Sequence, residues 1–384
     1  MPFNAMQLGE LPPLGLYIHI PWCVRKCPYC DFNSHTTAAI PEQEYVNALI
    51  DDLEQELQFV QGRPLQSIFF GGGTPSLFSG AAIARILTAV EQRIPFAVDI
   101  EITLEANPGT VEQGKFSAYA AAGVNRLSIG VQSFNADHLK TLGRIHSNQE
   151  AIKAAHTAIK AGINNFNIDL MHGLPKQTEQ QALQDIEQAI ALNPTHISWY
   201  QLTIEPNTAF YSAPPTLPDD DRLADIQDAG EHLLSQANFQ QYEISAYSRN
   251  KAQSRHNTNY WLFGDYIGIG AGAHGKLTLL HEQQIIRRWK TRSPKDYLAS
   301  DKEFIAGSKV LQAEELPLEF FLNSLRLTNG FSSALFQART GLSLSAVQTQ
   351  LAMLNNKKLL SISDQSINTT PLGRRFLNSI LAEF

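Results

Sequence analysis

Tyr17-Ile-His-Ile-Pro-Trp-Cys-Val-Arg-Lys-Cys-Pro-Tyr-Cys30 contains every cysteine of a 384-residue chain: Cys23, Cys27 and Cys30. The order C-x3-C-x2-C brings three thiolates to one centre and leaves a fourth position open. An iron–sulfur cluster needs this arrangement if one of its irons is to bind a small molecule instead of protein. Thiolates suit it as soft donors that tolerate iron in more than one oxidation state. Three cysteines cannot pair off as disulfides, and nothing suggests secretion. Structural zinc is the alternative: it uses two well-separated Cys/His pairs in a closed site, which His19 or His35 would have to complete.

Outward from this run, strands and helices alternate. Leu14–Pro21 reads as a buried strand leading into the cysteine loop. Glu44–Val60 reads as a helix with Val46, Leu49, Ile50, Leu53, Leu57 and Val60 on one face. Ser67–Phe70 is a strand ending in Gly71-Gly-Gly-Thr-Pro75, followed by helix at Ala81–Arg93. Asp99–Ala106, Arg126–Val131, Phe166–Met171 and His196–Ile204 are further strands, with helices at Val111–Ala122, up to Ala161 and up to Leu192. Ser147-x-x-Glu150 and Thr178-x-x-Gln181 are capping boxes that open the last two helices.

Six such units predict an α/β fold with a parallel sheet and right-handed crossovers. Polar or glycine residues cluster past the C-terminal end of each strand: the cysteines, Gly71–Thr74, Glu105 with Asn107, Gln132 with Ser133, Asp169, and Gln201 to Glu205. That favours a partial (β/α)6 barrel, whose active face lies there, over a doubly wound sheet with one switch point.

Beyond Pro206 the pattern loosens. A helix near Asp221–Gln236 and a strand at Gln241–Ala246 precede His256-Asn-Thr-Asn-Tyr-Trp261 and the Gly-rich Asp265–Gly275, read as a tight structural turn. Residues 282–315 read as a charged hairpin or connector. From Leu316, short helices, a hairpin (Leu359–Ile362, Ser366–Thr370) and a last helix outline a small winged-helix-like domain. The division expected is 1–300 and 301–384.

At 43% hydrophobic and 17% charged residues the chain can bury a large core, and its net charge of -7 gives no electrostatic case for nucleic acid or anionic membrane. Between Leu316 and Phe384 there are six Lys/Arg against three Asp/Glu and no basic recognition helix. No apolar run is long enough for a membrane span, and the first residues lack signal-peptide character. A reducing, cytoplasmic location is expected.

The cysteine run together with Gly71-Gly-Gly-Thr-Pro75 resembles the radical S-adenosylmethionine (SAM) superfamily, in which such a glycine segment holds the amino group of SAM. On its own that segment would be a tight turn or a phosphate cradle, but no G-K-[ST] follows it. End to end, the chain resembles the branch containing oxygen-independent coproporphyrinogen III oxidases and HemW-type heme chaperones. The resemblance implies a 4Fe-4S cluster on Cys23, Cys27 and Cys30. It implies SAM contacts from Tyr17, Gly72, Gly73, Thr74, Glu105, Gln132, Arg144 and Asp169. Glu105 and Asp169 can accept from hydroxyls or an ammonium, and Arg144 can pair a carboxylate.

Within that branch the oxidases continue C-x-x-C-x-C, whereas Phe32 stands at the last position here, and they carry a longer N-terminal segment. His256-Asn-Thr-Asn-Tyr-Trp261 matches the H-N-x-x-Y-W motif of the chaperones, which implies heme binding, with His256 on the iron and Tyr260 and Trp261 flanking the porphyrin. The plainer reading is a loop histidine bonded to backbone, with Trp261 in the core. His274 is a weaker ligand candidate, and Arg287–Arg292 could meet heme propionates or form a solvated strand face. The expectation is a heme carrier that binds SAM and a cluster and passes heme to acceptor proteins, with a flavodoxin- or ferredoxin-type electron donor. The alternative is SAM-radical oxidative decarboxylation of coproporphyrinogen III.

Overall fold

A computed structural model describes residues 6–110, 113–299 and 303–384. The expected helix start at Val111 and the expected domain boundary at 300/301 lie outside them. Twelve strands form one sheet. β1 (Leu14–Ile20), β2 (Leu65–Gly72), β3 (Phe96–Ala106), β4 (Arg126–Gln132), β5 (Phe166–His172) and β6 (His196–Gln201) lie side by side in chain order and pair in parallel. The order never reverses, so no switch point exists and the chain winds one way, as in a barrel.

Helices α1 (Glu42–Glu56), α2 (Gly80–Glu91), α3 (Gln113–Ala122), α4 (Asn148–Lys160) and α5 (Glu179–Ala191) form the crossovers. Both expected capping boxes are present, with Glu150 and Gln181 reaching back to the backbone N–H of Ser147 and Thr178. In β1, Leu14, Leu16, Ile18 and Ile20 are fully buried in the main core, while Tyr17 and His19 alternate onto the other face.

The last third departs from the reading of its sequence. After α6 (Asp220–Gln236), the strand expected at Gln241–Ala246 is a tight hairpin, β7 (Gln240–Glu243) and β8 (Ala246–Ser248), paired antiparallel on the β6 edge. The H-N-x-x-Y-W residues form a short helix, α7 (Arg255–Trp261), and not a loop. Its N-cap is Ser254, and its first amides, on Arg255 and His256, donate to the Glu101 carboxylate.

The Gly-rich segment is mostly strand. β9 (Asp265–Ile269) adds in parallel to the free edge of β1, and β10 (His274–Leu279), β11 (Gln284–Lys290) and β12 (Ile305–Val310) follow antiparallel. Only residues 270–273 turn, and there Gly270 has φ +102° with no room for a Cβ, 2.4 Å from the His19 carbonyl oxygen. The glycines and alanines of the following turn, residues 270–273, masked the short strand signal of β9.

A second core draws on residues from Leu311 to Ile380 together with Leu8, Phe263 and Ile285. It holds α8 (Leu316–Ser324), α9 (Ser333–Thr340) and α10 (Gln348–Asn356). A three-stranded sheet completes it: β13 (Phe331–Ser332), β15 (Ser366–Thr369) and β14 (Leu360–Ile362). Arg326 links this part to the barrel, pairing with Glu243 at 2.9 Å and lying over the Trp261 ring. No helix among the described residues is long and apolar enough to cross a membrane.

Candidate functional site

At the C-terminal ends of the parallel strands lies a cavity of about 430 Å³. It is lined by all three cysteines and by Gly72, Gly73, Thr74, Glu105, Gln132, Arg144 and Asp169. Ten of the twelve residues singled out from sequence therefore meet in one place, supplied by the cysteine loop, by the ends of β2 to β5 and by the segment after β4.

The cysteine loop is held by backbone. Trp22–Cys23 pairs with His35–Thr36, and the Cys30 N–H closes a turn on the Cys27 carbonyl at 3.2 Å. Gly73 and Thr74 donate their N–H groups to the carbonyls of Ile20 and Trp22 at 2.7 and 2.8 Å, which docks the loop on the end of β2. A Cβ on Gly73 would stand 2.5 Å from the Trp22 carbonyl oxygen, so no larger residue permits this approach.

The three thiols are free and half-buried. Burial, above all, pushes the thiols of Cys23 and Cys30 up. Thr74 Oγ1 donates to Cys23 Sγ at 3.6 Å and Arg144 Nη1 to Cys27 Sγ at 3.7 Å, an environment that favours thiolates once a metal takes the protons. Neither candidate for a fourth zinc ligand is available. His19 is buried, with Nε2 on the Asn33 carbonyl at 2.8 Å and Nδ1 on the Tyr17 hydroxyl at 3.0 Å, while His35 Nε2 meets Asn33 Oδ1 at 3.2 Å. The donor set fits a three-thiolate cluster with an open iron.

Facing the cysteines are two carboxylates with little to neutralise them. Glu105 accepts the Gly72 N–H at 3.2 Å. Desolvation, then the negative charge of Asp169, pushes its carboxyl up to about 8. Asp169 accepts from Ser128 Oγ and Asn167 Nδ2, both at 2.8 Å, yet desolvation still raises it. A ligand bearing a cationic sulfonium and an ammonium would relieve both, which is the charge pattern of SAM.

Arg144 holds Asn107 Oδ1 at 2.5 Å and the Gly130 carbonyl at 2.6 Å, and Asn107 in turn donates to Thr74 Oγ1 at 2.9 Å. Gln132 sits at φ +71°, a left-handed backbone that turns the end of β4 into the cavity.

Tyr17 does not line the cavity. It packs beneath the glycine segment, with its ring 3.0 Å from where a Gly71 Cβ would be, and close enough to Glu105 to be influenced by its charge.

His256 lies elsewhere, apart from the cavity, in a packed interior position. It is 1% exposed and sits at the N-terminal ends of the strands, against Gly15 and Ser67. Nδ1 bonds Ser67 Oγ at 2.9 Å and Nε2 bonds the Tyr260 hydroxyl at 2.7 Å, so neither nitrogen is open. Its ring stacks on Phe69. Burial, then the charge of Arg126, lowers its pKa to about 3, leaving it neutral.

Asn33 was not singled out from sequence. Its side-chain amide donates to the carbonyls of Ala271 and Arg292, both at 2.9 Å, tying the cysteine loop to the sheet extension. An asparagine in an irregular loop carries no signal of partners so distant. Tyr29, Ser128 and Tyr200, in the cavity wall, stood out no more.

Residues 17–189 match the radical SAM superfamily and residues 311–376 the HemN C-terminal domain. The fold is that of the coproporphyrinogen III oxidase HemN of Escherichia coli, with a TM-score of 0.81 at 22% identity over 97% of this chain and 90% of that one. The heme chaperone HemW of Escherichia coli is 51% identical over 98% of this chain and 99% of its own length. That of Haemophilus influenzae is 52% identical over the same shares. The chain belongs to the HemW family of radical SAM proteins.

Proposed function

We propose that the protein is a heme chaperone that carries a 4Fe-4S cluster with SAM, binds one heme and passes it to acceptor proteins. Identity of about half to heme chaperones, running without a break through barrel and C-terminal domain, carries this reading. Cys23, Cys27 and Cys30 would hold the cluster. Gly72, Gly73 and Thr74 would present backbone groups to the amino acid part of SAM, with Glu105 and Asp169 taking its positive charges and Arg144 its carboxylate. Bound there, the cluster supplies one-electron chemistry toward the sulfonium of SAM.

The chain's own work is to exclude water and orient. The carboxylates of Glu105 and Asp169 are held by Gly72, Ser128 and Asn167 before any ligand arrives, so binding them requires little reorganisation. Val24, Arg25, Lys26 and Phe32 are exposed on the cysteine loop and offer an apolar and basic landing surface beside the cluster for a flavodoxin- or ferredoxin-type donor.

The test is an anaerobic hemin titration of cluster-loaded protein followed by the Soret band, then mixing with an apo heme protein. Saturation near one heme per chain and transfer to the acceptor are expected. No saturable binding refutes the chaperone reading, and many-turnover formation of protoporphyrinogen from coproporphyrinogen would replace it with the oxidase.

A further inference from the structure

Asp169 is held by more than its nearest partners. Asn167 donates through Nδ2 to Asp169 Oδ1 and to Ser128 Oγ, both at 2.8 Å, and accepts through Oδ1 from Ser198 Oγ at 3.1 Å. The same Oδ1 lies 2.7 Å from His196 Nδ1, whose Nε2 is 2.8 Å from the Tyr242 hydroxyl. Tyr242 Oη accepts, at 3.2 Å, the backbone N–H of Ser254, the residue that caps α7.

The sense of every link follows from Asp169. A carboxylate only accepts, so the Asn167 amide turns its nitrogen toward it and its oxygen away. Facing that oxygen, His196 carries its proton on Nδ1, which leaves Nε2 to accept from Tyr242. Burial, then the charge of Arg126, lowers the pKa of His196 and keeps it neutral. Burial also keeps the Tyr242 phenol protonated. The donors therefore all point one way, from the Ser254 amide to the carboxylate, and hydrogen bonds aligned like this polarise one another.

The chain is a layer of the barrel interior. Ser128, Asn167 and His196 stand opposite one another on β4, β5 and β6, two residues before Gly130, Asp169 and Ser198. Asn167, His196 and Tyr242 are each no more than 3% exposed. Barrel interiors ordinarily fill such layers with branched aliphatic side chains. Stability does not call for polar groups here, since desolvating them offsets most of what their hydrogen bonds return. Their common end is a carboxylate that faces the cavity.

Resting on the reading of Asp169 as a SAM contact, we propose that Asn167, His196 and Tyr242 are positioning residues for SAM binding. The chain fixes the direction of the Asp169 carboxylate and favours its anion before the ligand arrives.

The experiment is anaerobic equilibrium dialysis of radiolabelled SAM against full-length, cluster-loaded protein. Asn167→Leu should bind SAM about tenfold more weakly and His196→Phe about fivefold. His196→Asn keeps a donor at the Nδ1 position and should stay within about twofold of wild type. Combined with Asp169→Asn, His196→Phe should weaken binding no further, because it acts through that carboxylate. Equal affinity in His196→Phe and His196→Asn, or a loss that adds to that of Asp169→Asn, overturns the proposal. Far-UV circular dichroism and cluster absorbance establish that the variants fold. If His196→Phe does not, Tyr242→Phe, which removes one hydroxyl, decides by the same cycle, with an expected loss of about threefold. Wild type without saturable SAM binding removes the SAM reading of the cavity itself, an outcome distinct from failure of the chain alone.

Discussion

Gly72→Ala tests the geometry of the glycine segment most directly. Gly72 has φ +112°, and a Cβ there would stand 2.5–2.8 Å from three atoms of the His19 ring. The left-handed backbone alone should cost about 1–2 kcal/mol. His19 cannot swing aside freely, because its ring is held by the Asn33 carbonyl and the Tyr17 hydroxyl; breaking both bonds adds about 2 kcal/mol. Gly123 is the internal control: its φ is +108°, yet nothing lies within 4 Å of its would-be Cβ. Denaturant unfolding of the two variants should therefore show Gly123→Ala down by about 1–2 kcal/mol and Gly72→Ala by about 3–4. SAM affinity, measured on the same samples, should fall only for Gly72→Ala. Equal losses in the two variants, or wild-type SAM binding in Gly72→Ala, would refute the claim that His19 and Gly72 form one rigid unit.

SAM binding at pH 7 should release a proton, because Glu105 is mostly protonated with a pKa near 8 and a cation favours its carboxylate. Calorimetry in buffers of different ionisation enthalpy measures the release, and Glu105→Gln should abolish it. His256→Ala should destabilise by about 3 kcal/mol through two lost hydrogen bonds and a cavity, measured by denaturant unfolding; an unchanged unfolding midpoint would refute a packing role for the ring. Asp265 is fully buried between Arg63 and Lys276, so Asp265→Asn should lose about 3 kcal/mol at pH 7. Despite burial, those cations hold the Asp265 carboxyl below its usual range. Its contribution is thus complete above that range and lost as pH falls through it, so the gap between wild type and variant should close on acidification. Cys27→Ser should lose the cluster absorbance near the visible charge-transfer region while unfolding at the wild-type midpoint, since the thiols form no disulfide; retention of a full cluster would show that another ligand replaces it.

The barrel was legible because its six strands and crossover helices announce themselves locally, by apolar runs, 3.6-residue periodicity and two capping boxes whose residues bond as the spacing demanded. The cavity was legible for a similar reason: strand ends put Gly72, Glu105, Gln132 and Asp169 on one face whatever the details. The sheet extension was not. Gly268 and the turn at residues 270–273 have no apolar alternation to report, and β9 is set by strand pairing with β1, some 250 residues away in sequence. The setting of His256 was not legible because a motif fixes residue types but not accessibility. Ser67 and Glu101, which hold it, come from strands whose polar positions gave no hint of a shared interior layer.

The tie between Asn33 and Arg292 spans 259 residues of chain. On a ribosome moving at 5–20 residues per second, the cysteines therefore emerge about 13–50 s before the strand and turn that fix their loop. β1 has the same wait, because β9 covers its second edge. The final anchoring of the cysteine loop thus waits until residue 292 has emerged. In the interval three bare thiols stand exposed at the exit of the tunnel, and a cell that delays cluster supply lengthens that exposure without stalling synthesis.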